Sequence, residues 1–273
     1  MERKVIIEKQ DLTYLKWSHA RNSSGTAGTF LKSQSTINSE KIYYKLSNFD
    51  SEKGVIGHES VNEIIVDRLL YILRVPHLSY QLIHADVEID GKIYDTWVCA
   101  SKDFKNRGET KAALDDFYFV NKVENESHYD ICVRYGWKKY IDTMLIIDYL
   151  ILNRDRHGAN IEILRNARKQ TLRLAPLFDH GLSLLCSCYS EEEIENFDVS
   201  EDKPCQNYIG SRSTLENLEL IEDKQSLLQT KLEQKDRDII FEDLQNALSE
   251  KHREKIWDMI WTRWCHYESI CNL

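Results

Sequence analysis

The sequence predicts an α+β fold in two lobes, a small β-rich lobe over residues 1–104 and a larger helical lobe over 105–273. Three observations lead there. The first hundred residues carry β-branched and aromatic side chains in part-alternating order, interrupted by turn residues. From about Phe104 onward, apolar residues recur at helical spacing instead. A chain of 273 residues is also long enough for one large domain or two small lobes with a shared core.

In chain order, TFLKSQ (Thr29–Gln34) and KIYYKLS (Lys41–Ser47) read as strands. ESVNEIIVDRLLYIL (Glu59–Leu73) reads as a helix, with Ile64, Ile65, Leu69 and Ile72 on a broad apolar face and Pro76 stopping it soon after. SYQLIHADVEIDGKIYDTWVCAS then reads as two strands joined near Asp90-Gly91, a hairpin dipeptide. LDDFYFV, KKYIDTMLIIDYLIL and DIIFEDLQNALSEKHREKIWDMIWTRW all carry helical periodicity. In the last of these, Trp257, Ile260, Trp261 and Trp264 fall at i, i+3, i+4 and i+7, the spacing of a core-packing face. The stretch from Cys186 to Ser213 is acidic, has no sustained period, and reads as a long surface loop.

Composition excludes several classes. Apolar residues make up 42% and charged residues 30%, as in soluble globular proteins, and only 3 prolines and 10 glycines occur. The net charge of −9 argues against a broad footprint on nucleic-acid phosphates, which needs clustered Lys and Arg, so no direct nucleic-acid partner is expected. No stretch approaches the roughly 20 apolar residues of a membrane helix. The N-terminal MERKVIIEKQDLTYLKW lacks a signal-peptide core. The 7 cysteines are scattered without a C-x-x-C pair, which fits reduced thiols and a cytoplasmic protein.

The chemistry concentrates where a buried helix ends. YIDTMLIIDYLI (Tyr140–Ile151) is greasy throughout, yet it runs into Asn153-Arg-Asp-Arg-His-Gly-Ala-Asn160. Asp155 and Asn160 stand in one glycine-containing loop, and downstream the apolar, strand-like LRLAPLF ends abruptly in Asp179-His180-Gly181. A carboxylate able to act as base, an amide oxygen and a second carboxylate are what a magnesium–phosphate site requires. Mg²⁺ prefers hard oxygen ligands, takes one or two carboxylates, and fills its shell with water and phosphate oxygens. Asp148, inside the buried helix, is expected to hydrogen-bond the loop or backbone, as buried carboxylates must find partners.

D-x-x-x-x-N followed by D-x-G is the catalytic-loop and metal-loop pair of protein-kinase-like folds. The form N-x-D-R-H-x-x-N with A-P-L-F-D-x-G downstream resembles the HipA-like serine/threonine kinases, and more distantly the phosphatidylinositol kinases. The resemblance runs in order from about Ser23 to Leu185. It implies a bilobal protein-kinase-like fold, with Asp155 as base or orienting group for an acceptor hydroxyl, Asn160 and Asp179 as Mg²⁺ ligands, and His157 as a structural or charge-stabilising neighbour. Unlike ordinary protein kinases, the loop begins with Asn153 rather than His.

The same resemblance makes demands upstream. Ser24-Gly25-Thr26-Ala27-Gly28-Thr29 would cover the ATP phosphates, since glycines allow backbone N–H groups to approach an anion. Lys45 would hold those phosphates, with Lys32 and Lys41 as competitors. Glu63 would orient Lys45, although Glu59 lies one turn earlier on the same face. Backbone groups of Cys99, Ala100 and Ser101 would contact adenine. Ser23 or Ser24 is a candidate autophosphorylation site, because a phosphate there would repel those of ATP. Full-length HipA-type toxins carry an additional N-terminal subdomain; a chain starting this close to the glycine loop reads as a compact, core-only member, and an antitoxin-like partner stays open, since nothing in the residues derives one.

The function expected from the sequence is an ATP- and Mg²⁺-dependent kinase acting on Ser or Thr of a protein, and on itself. A small-molecule or lipid kinase is the alternative within enzymes, although the acidic net charge disfavours an anionic membrane. A nucleotide-binding pseudokinase or scaffold is the alternative outside them, and transfer of AMP instead of phosphate is a third.

Overall fold

The computed structural model describes residues 3–18 and 30–271. The chain opens with β1 (Val5–Asp11), β2 (Lys32–Ile37) and β3 (Glu40–Lys45), followed by the two-residue strands β4 (Phe49–Asp50) and β5 (Gly54–Val55). Helix α1 (Glu59–Ile72) and the long strands β6 (Tyr80–Ile89) and β7 (Lys92–Lys102) complete this part. One sheet runs in the order β1-β6-β7-β3-β2, antiparallel except where β1 lies along β6. Its longest hairpin turns where the dipeptide predicts: Asp90 and Gly91 have φ of 51° and 77°, the left-handed pair of a tight turn.

Because side chains alternate along a strand, the sheet has two different faces. Ile42, Tyr44, Leu46, Ile83, Val98 and Ala100 pack on one side with Leu12, Leu15 and Leu31. Leu82 and Cys99 face the other way, into the core that holds α1 through Ile64, Ile65 and Leu69. Helix α1 is buried from Glu59 through Leu70, its polar residues Glu59, Ser60, Asn62, Glu63, Asp67 and Arg68 included.

The remainder comprises β8 (Thr110–Ala113), α2 (Leu114–Asn121), α3 (His128–Arg134), α4 (Lys138–Leu150), β9 (Asp155–Arg156), β10 (Glu162–Asn166) and β11 (Thr171–Leu174). After these come α5 (Glu191–Glu195), β12 (Gln206–Asn207), α6 (Asp236–Ile240) and α7 (Glu250–Cys271). Every residue of α4 from Ile141 to Leu150 is buried. Trp257, Ile260 and Trp264 of α7 are buried in the same core, with Trp261 packed at its edge, so the tryptophan stripe is a packing face.

Three features differ from the sequence expectation. This part is not purely helical: β11, β10 and β8 form an antiparallel three-stranded sheet. Its strands are too short to show a period, and β8 and β10 meet only through the fold. The C-terminal helical pattern breaks into α6 and α7, with Asp243 at φ 59° between them, a left-handed residue that a helix cannot absorb. The Cys186–Ser213 stretch is not a free surface loop. It contains α5, started by a reciprocal Ser190–Glu193 capping box, and it buries Cys186, Cys188, Ile194, Phe197 and Cys205. Arg263 of α7 fastens it by donating to the carbonyls of Val199 and Glu201.

Candidate active site

A cleft of about 690 Å³ opens beside the five-stranded sheet, within the size range of small-molecule sites. Lys45, Glu63, Cys99, Ser101, Asn160 and Asp179 all line it. These residues come from β3, α1, β7, the loop before β10 and the loop after β11, so only the fold brings them together.

Lys45 is the centre of the arrangement. Its Nζ lies 2.9 Å from Glu63 Oε1 and also bonds Asp179 Oδ1. Burial alone would push the ammonium's pKa down, but the Asp179 and Glu63 carboxylates overcome this and raise it, so the lysine stays charged. The choice between Glu63 and Glu59 is thereby decided geometrically. Glu59 turns away and accepts the Asn48 N–H at 3.0 Å; burial raises its pKa. Lys32 reaches Asp179 only at 4.0 Å, and Lys41 lies over the Tyr43 ring.

Glu63 does more than hold Lys45. Its Oε2 accepts the His180 N–H at 2.9 Å and its Oε1 the Gly181 N–H at 3.1 Å, so α1 grips the backbone beside Asp179. Neighbouring Asn62 donates to the carbonyls of Gly181 and Ser183. Gly181 sits in a tight place: a Cβ there would come 3.1 Å from both Lys45 Nζ and Glu59 Cβ, so a neighbour would have to move by a few tenths of an ångström. His180 is buried and its pKa is held far below the ordinary value, chiefly by burial and then by the Arg156 guanidinium, so it is neutral.

The Asp155 loop stands on a sealed ion pair. Asp148 of α4 accepts from Asn153 Nδ2 at 2.8 Å and from Arg156 Nη2 at 2.8 Å, as its burial requires. Arg156 Nη1 then donates to the carbonyls of Asn160 and Phe178, which ties the Asp155 loop to the run ending in Asp179. The Asp155 N–H bonds Asn153 Oδ1 at 3.1 Å, and Asn160 Nδ2 donates to the Asp155 carbonyl at 2.9 Å. His157 Nε2 lies 3.7 Å from Asp155 Oδ2. Asp155 and His157 are not among the residues lining the cleft; they stand on the same loop as Asn160, which is. Gly158 serves packing rather than an anion, since a Cβ there would come 2.7 Å from Asp115 Cβ of α2.

One expected contact is corrected. Cys99, Ala100 and Ser101 lie inside β7, paired with Lys45, Tyr44 and Tyr43 on one side and with Leu82, Gln81 and Tyr80 on the other. Their backbone groups belong to a central strand and are not available to a base. Cys99 and Ser101 face the cleft through their side chains, whereas Ala100 points into the opposite core. The strand ends at Lys102, and just beyond it the Asp103 N–H still bonds the Lys41 carbonyl at 3.1 Å. The expected phosphate-covering residues Ser24, Gly25, Thr26, Ala27, Gly28 and Thr29, and also Ser23, lie outside the described residues.

Sequence reasoning missed several cleft residues. Phe104 and Phe178, with ring centroids 5.4 Å apart, both line it. Lys111 and Glu162, paired at 3.0 Å, and Tyr80 also line it. Only Phe178 belongs to a motif, as the phenylalanine of A-P-L-F-D-x-G; Phe104, Lys111, Glu162 and Tyr80 belong to none.

The donor set suits magnesium. Among the described residues no three His, Cys, Asp or Glu side chains converge to hold a metal unaided. Asn160 has its amide nitrogen engaged with the Asp155 carbonyl, which leaves its oxygen to face a cation, and the Asp179 carboxylate lines the same cleft. One carboxylate and one amide oxygen, with room for phosphate oxygens, match how Mg²⁺ is bound.

No protein-family model and no curated protein matches the chain. Solved structures do match. The Helicobacter pylori proinflammatory kinase CtkA aligns over 93% of both chains with a TM-score of 0.59 at 17% identity. HipA of Shewanella oneidensis MR-1, from a complex of a toxin–antitoxin system with HipB and operator DNA, aligns over 93% of this chain and 68% of its own at TM-score 0.48 and 11% identity. The mixed architecture of sheet and helices found here is thus also the fold of a kinase.

Proposed function

We propose that the chain is an ATP- and Mg²⁺-dependent kinase that transfers a phosphoryl group to a Ser or Thr hydroxyl of a protein, with residues 1–104 and 105–273 acting as two lobes around the cleft. The observation that carries this reading is Lys45 held between Glu63 of α1 and Asp179 in one cleft. That triangle places a fixed positive charge beside a metal-binding carboxylate, which is what an anionic polyphosphate needs.

In this reading Lys45 binds the nucleotide phosphates, and Glu63 orients Lys45. Asn160 and Asp179 would hold Mg²⁺, which would supply positive charge to neutralise the nucleotide phosphates. Asp155 orients the acceptor hydroxyl and accepts its proton. His157 supports the Asp155 carboxylate from 3.7 Å. Phe104 and Phe178, in contact with each other, offer an apolar aromatic surface for the base. All seven cysteines are free thiols, in keeping with a reducing compartment such as the cytoplasm.

The test is intact mass after incubation with ATP and Mg²⁺, beside an Asp155→Asn control. A gain of one or more phosphates in the wild type alone supports the reading, whether on Ser23, Ser24 or elsewhere. An AMP-sized gain would redirect it to adenylylation. If no self-transfer occurs, label transfer to Ser- and Thr-containing protein acceptors decides; retained ATP binding without any transfer would make the chain a nucleotide-binding scaffold.

A further inference from the structure

Asp179 has an uncommon backbone conformation. Its φ of 59° lies in the left-handed region, which Asp and Asn visit more readily than other non-glycine residues but which still needs surroundings that hold it there. The holding groups can be named. Three successive amides of the loop are bound by side chains from outside it: His180 and Gly181 by Glu63, and Asp179 itself by the Tyr80 hydroxyl at 3.2 Å.

Tyr80 is well placed for this task. It is the first residue of β6, only 6% exposed, and its ring lines the cleft. Its own N–H is capped by Asp67 Oδ2 of α1 at 2.6 Å. Asp67 is in turn fixed by His77 Nε2 at 2.7 Å and Arg3 Nε at 2.8 Å. The hydroxyl oxygen therefore hangs from a rigid mount at the junction of sheet and helix. Nothing in its sequence neighbourhood marks it.

We infer that Tyr80 is a positioning residue for the divalent metal: its hydroxyl accepts the Asp179 N–H, holds that residue left-handed, and so aims the carboxylate at the metal. This rests on the kinase reading for the metal and on the geometry alone for the hold on the loop. Glu63 secures the two following amides, so Tyr80 controls the one at the ligand itself. A tyrosine ring serving only as packing would have no effect confined to metal.

Tyr80→Phe is the test, because it keeps the ring and removes only the oxygen. Two readouts are taken on the full chain: amide hydrogen exchange across Asp179–Gly181, and ATP affinity by calorimetry with Mg²⁺ and again with EDTA. Loss of one hydrogen bond should speed exchange at Asp179 by about five- to tenfold. ATP affinity with Mg²⁺ should fall by a similar factor, with affinity in EDTA unchanged. Unchanged exchange overturns the inference, as does an equal loss of affinity with and without metal. Should the wild type bind no ATP in either buffer, the kinase reading falls and takes the metal role with it. The exchange measurement then still upholds or overturns the hold of Tyr80 on the loop.

Discussion

Two ion-pair clusters flank the cleft, and they differ in what they leave open. Asp148 and Arg156 are both sealed, each with 1% of its side chain exposed, and they bond each other, the Asp155 loop and the Phe178 carbonyl. Lys45 and Asp179 keep 12% and 19% exposed, and they line the cleft. Burial pushes both cations toward lower pKa, and carboxylates raise both back. The chemistry is alike; the surroundings differ. A sealed pair can only hold structure, whereas an open one can exchange a partner for a ligand.

The largest predicted effect breaks the sealed cluster. Arg156→Leu leaves the Asp148 carboxylate buried without its counter-ion, and unpairing a buried charge costs roughly 3–5 kcal/mol. Urea unfolding should show a correspondingly lower midpoint, and a midpoint near that of the wild type would mean the cluster is less sealed than its exposure implies. Asp179→Asn tests the open cluster. Asparagine tolerates a left-handed backbone, and Lys45 keeps Glu63, so stability should shift by no more than about 1 kcal/mol. Phosphoryl transfer should instead fall at least about a hundredfold, the scale of removing one preorganised electrostatic group.

Glu63 and Glu59 sharpen the contrast within a single helix. Glu63→Gln weakens the bond to Lys45 and unbalances the grip on the His180 and Gly181 amides, so transfer should drop about tenfold or more. In Glu59→Gln the side chain can still accept from Asn48 N–H, and transfer should stay within about twofold. Equal losses in the two variants would show that the helix can turn to present either glutamate.

A pH-dependent effect concerns a joint that carries no charge. His58, which caps α1, and His252 of α7 meet edge to face with ring centroids 4.4 Å apart. Burial lowers His58 to about 3, with His252 adding to the shift, and burial lowers His252 to about 4. Their folded values lie below the unfolded value near 6.5, so the unfolded chain binds more protons in that window. Stability is therefore full above about pH 6.5 and is lost as pH falls, by up to about 1.4 kcal/mol per pH unit for each histidine. Thermal midpoints at pH 7 and pH 5 measure it, and His252→Gln should flatten the dependence; a midpoint constant between them would show that the imidazoles take up protons without leaving the fold.

Features that depend on a few neighbouring residues can be read from the chain alone. The Asp90-Gly91 turn, α1, α4 and the polar loop that follows α4 were all legible, because turn conformations, helical faces and the clustering of Asp155, Asn160 and Asp179 are properties of short stretches. The choice between Glu63 and Glu59 was not legible: they lie one turn apart on one face, and only the position of Lys45 on β3 selects between them. The backbone of Cys99 to Ser101 looked available to a base because nothing local says that β7 is flanked by β3 on one side and β6 on the other. The strand β10 and the tyrosine hydroxyl behind Asp179 were hidden for the same reason. A hydrogen-bonding group's availability depends on which element lies across from it, and that is settled only when distant parts of the chain pack together.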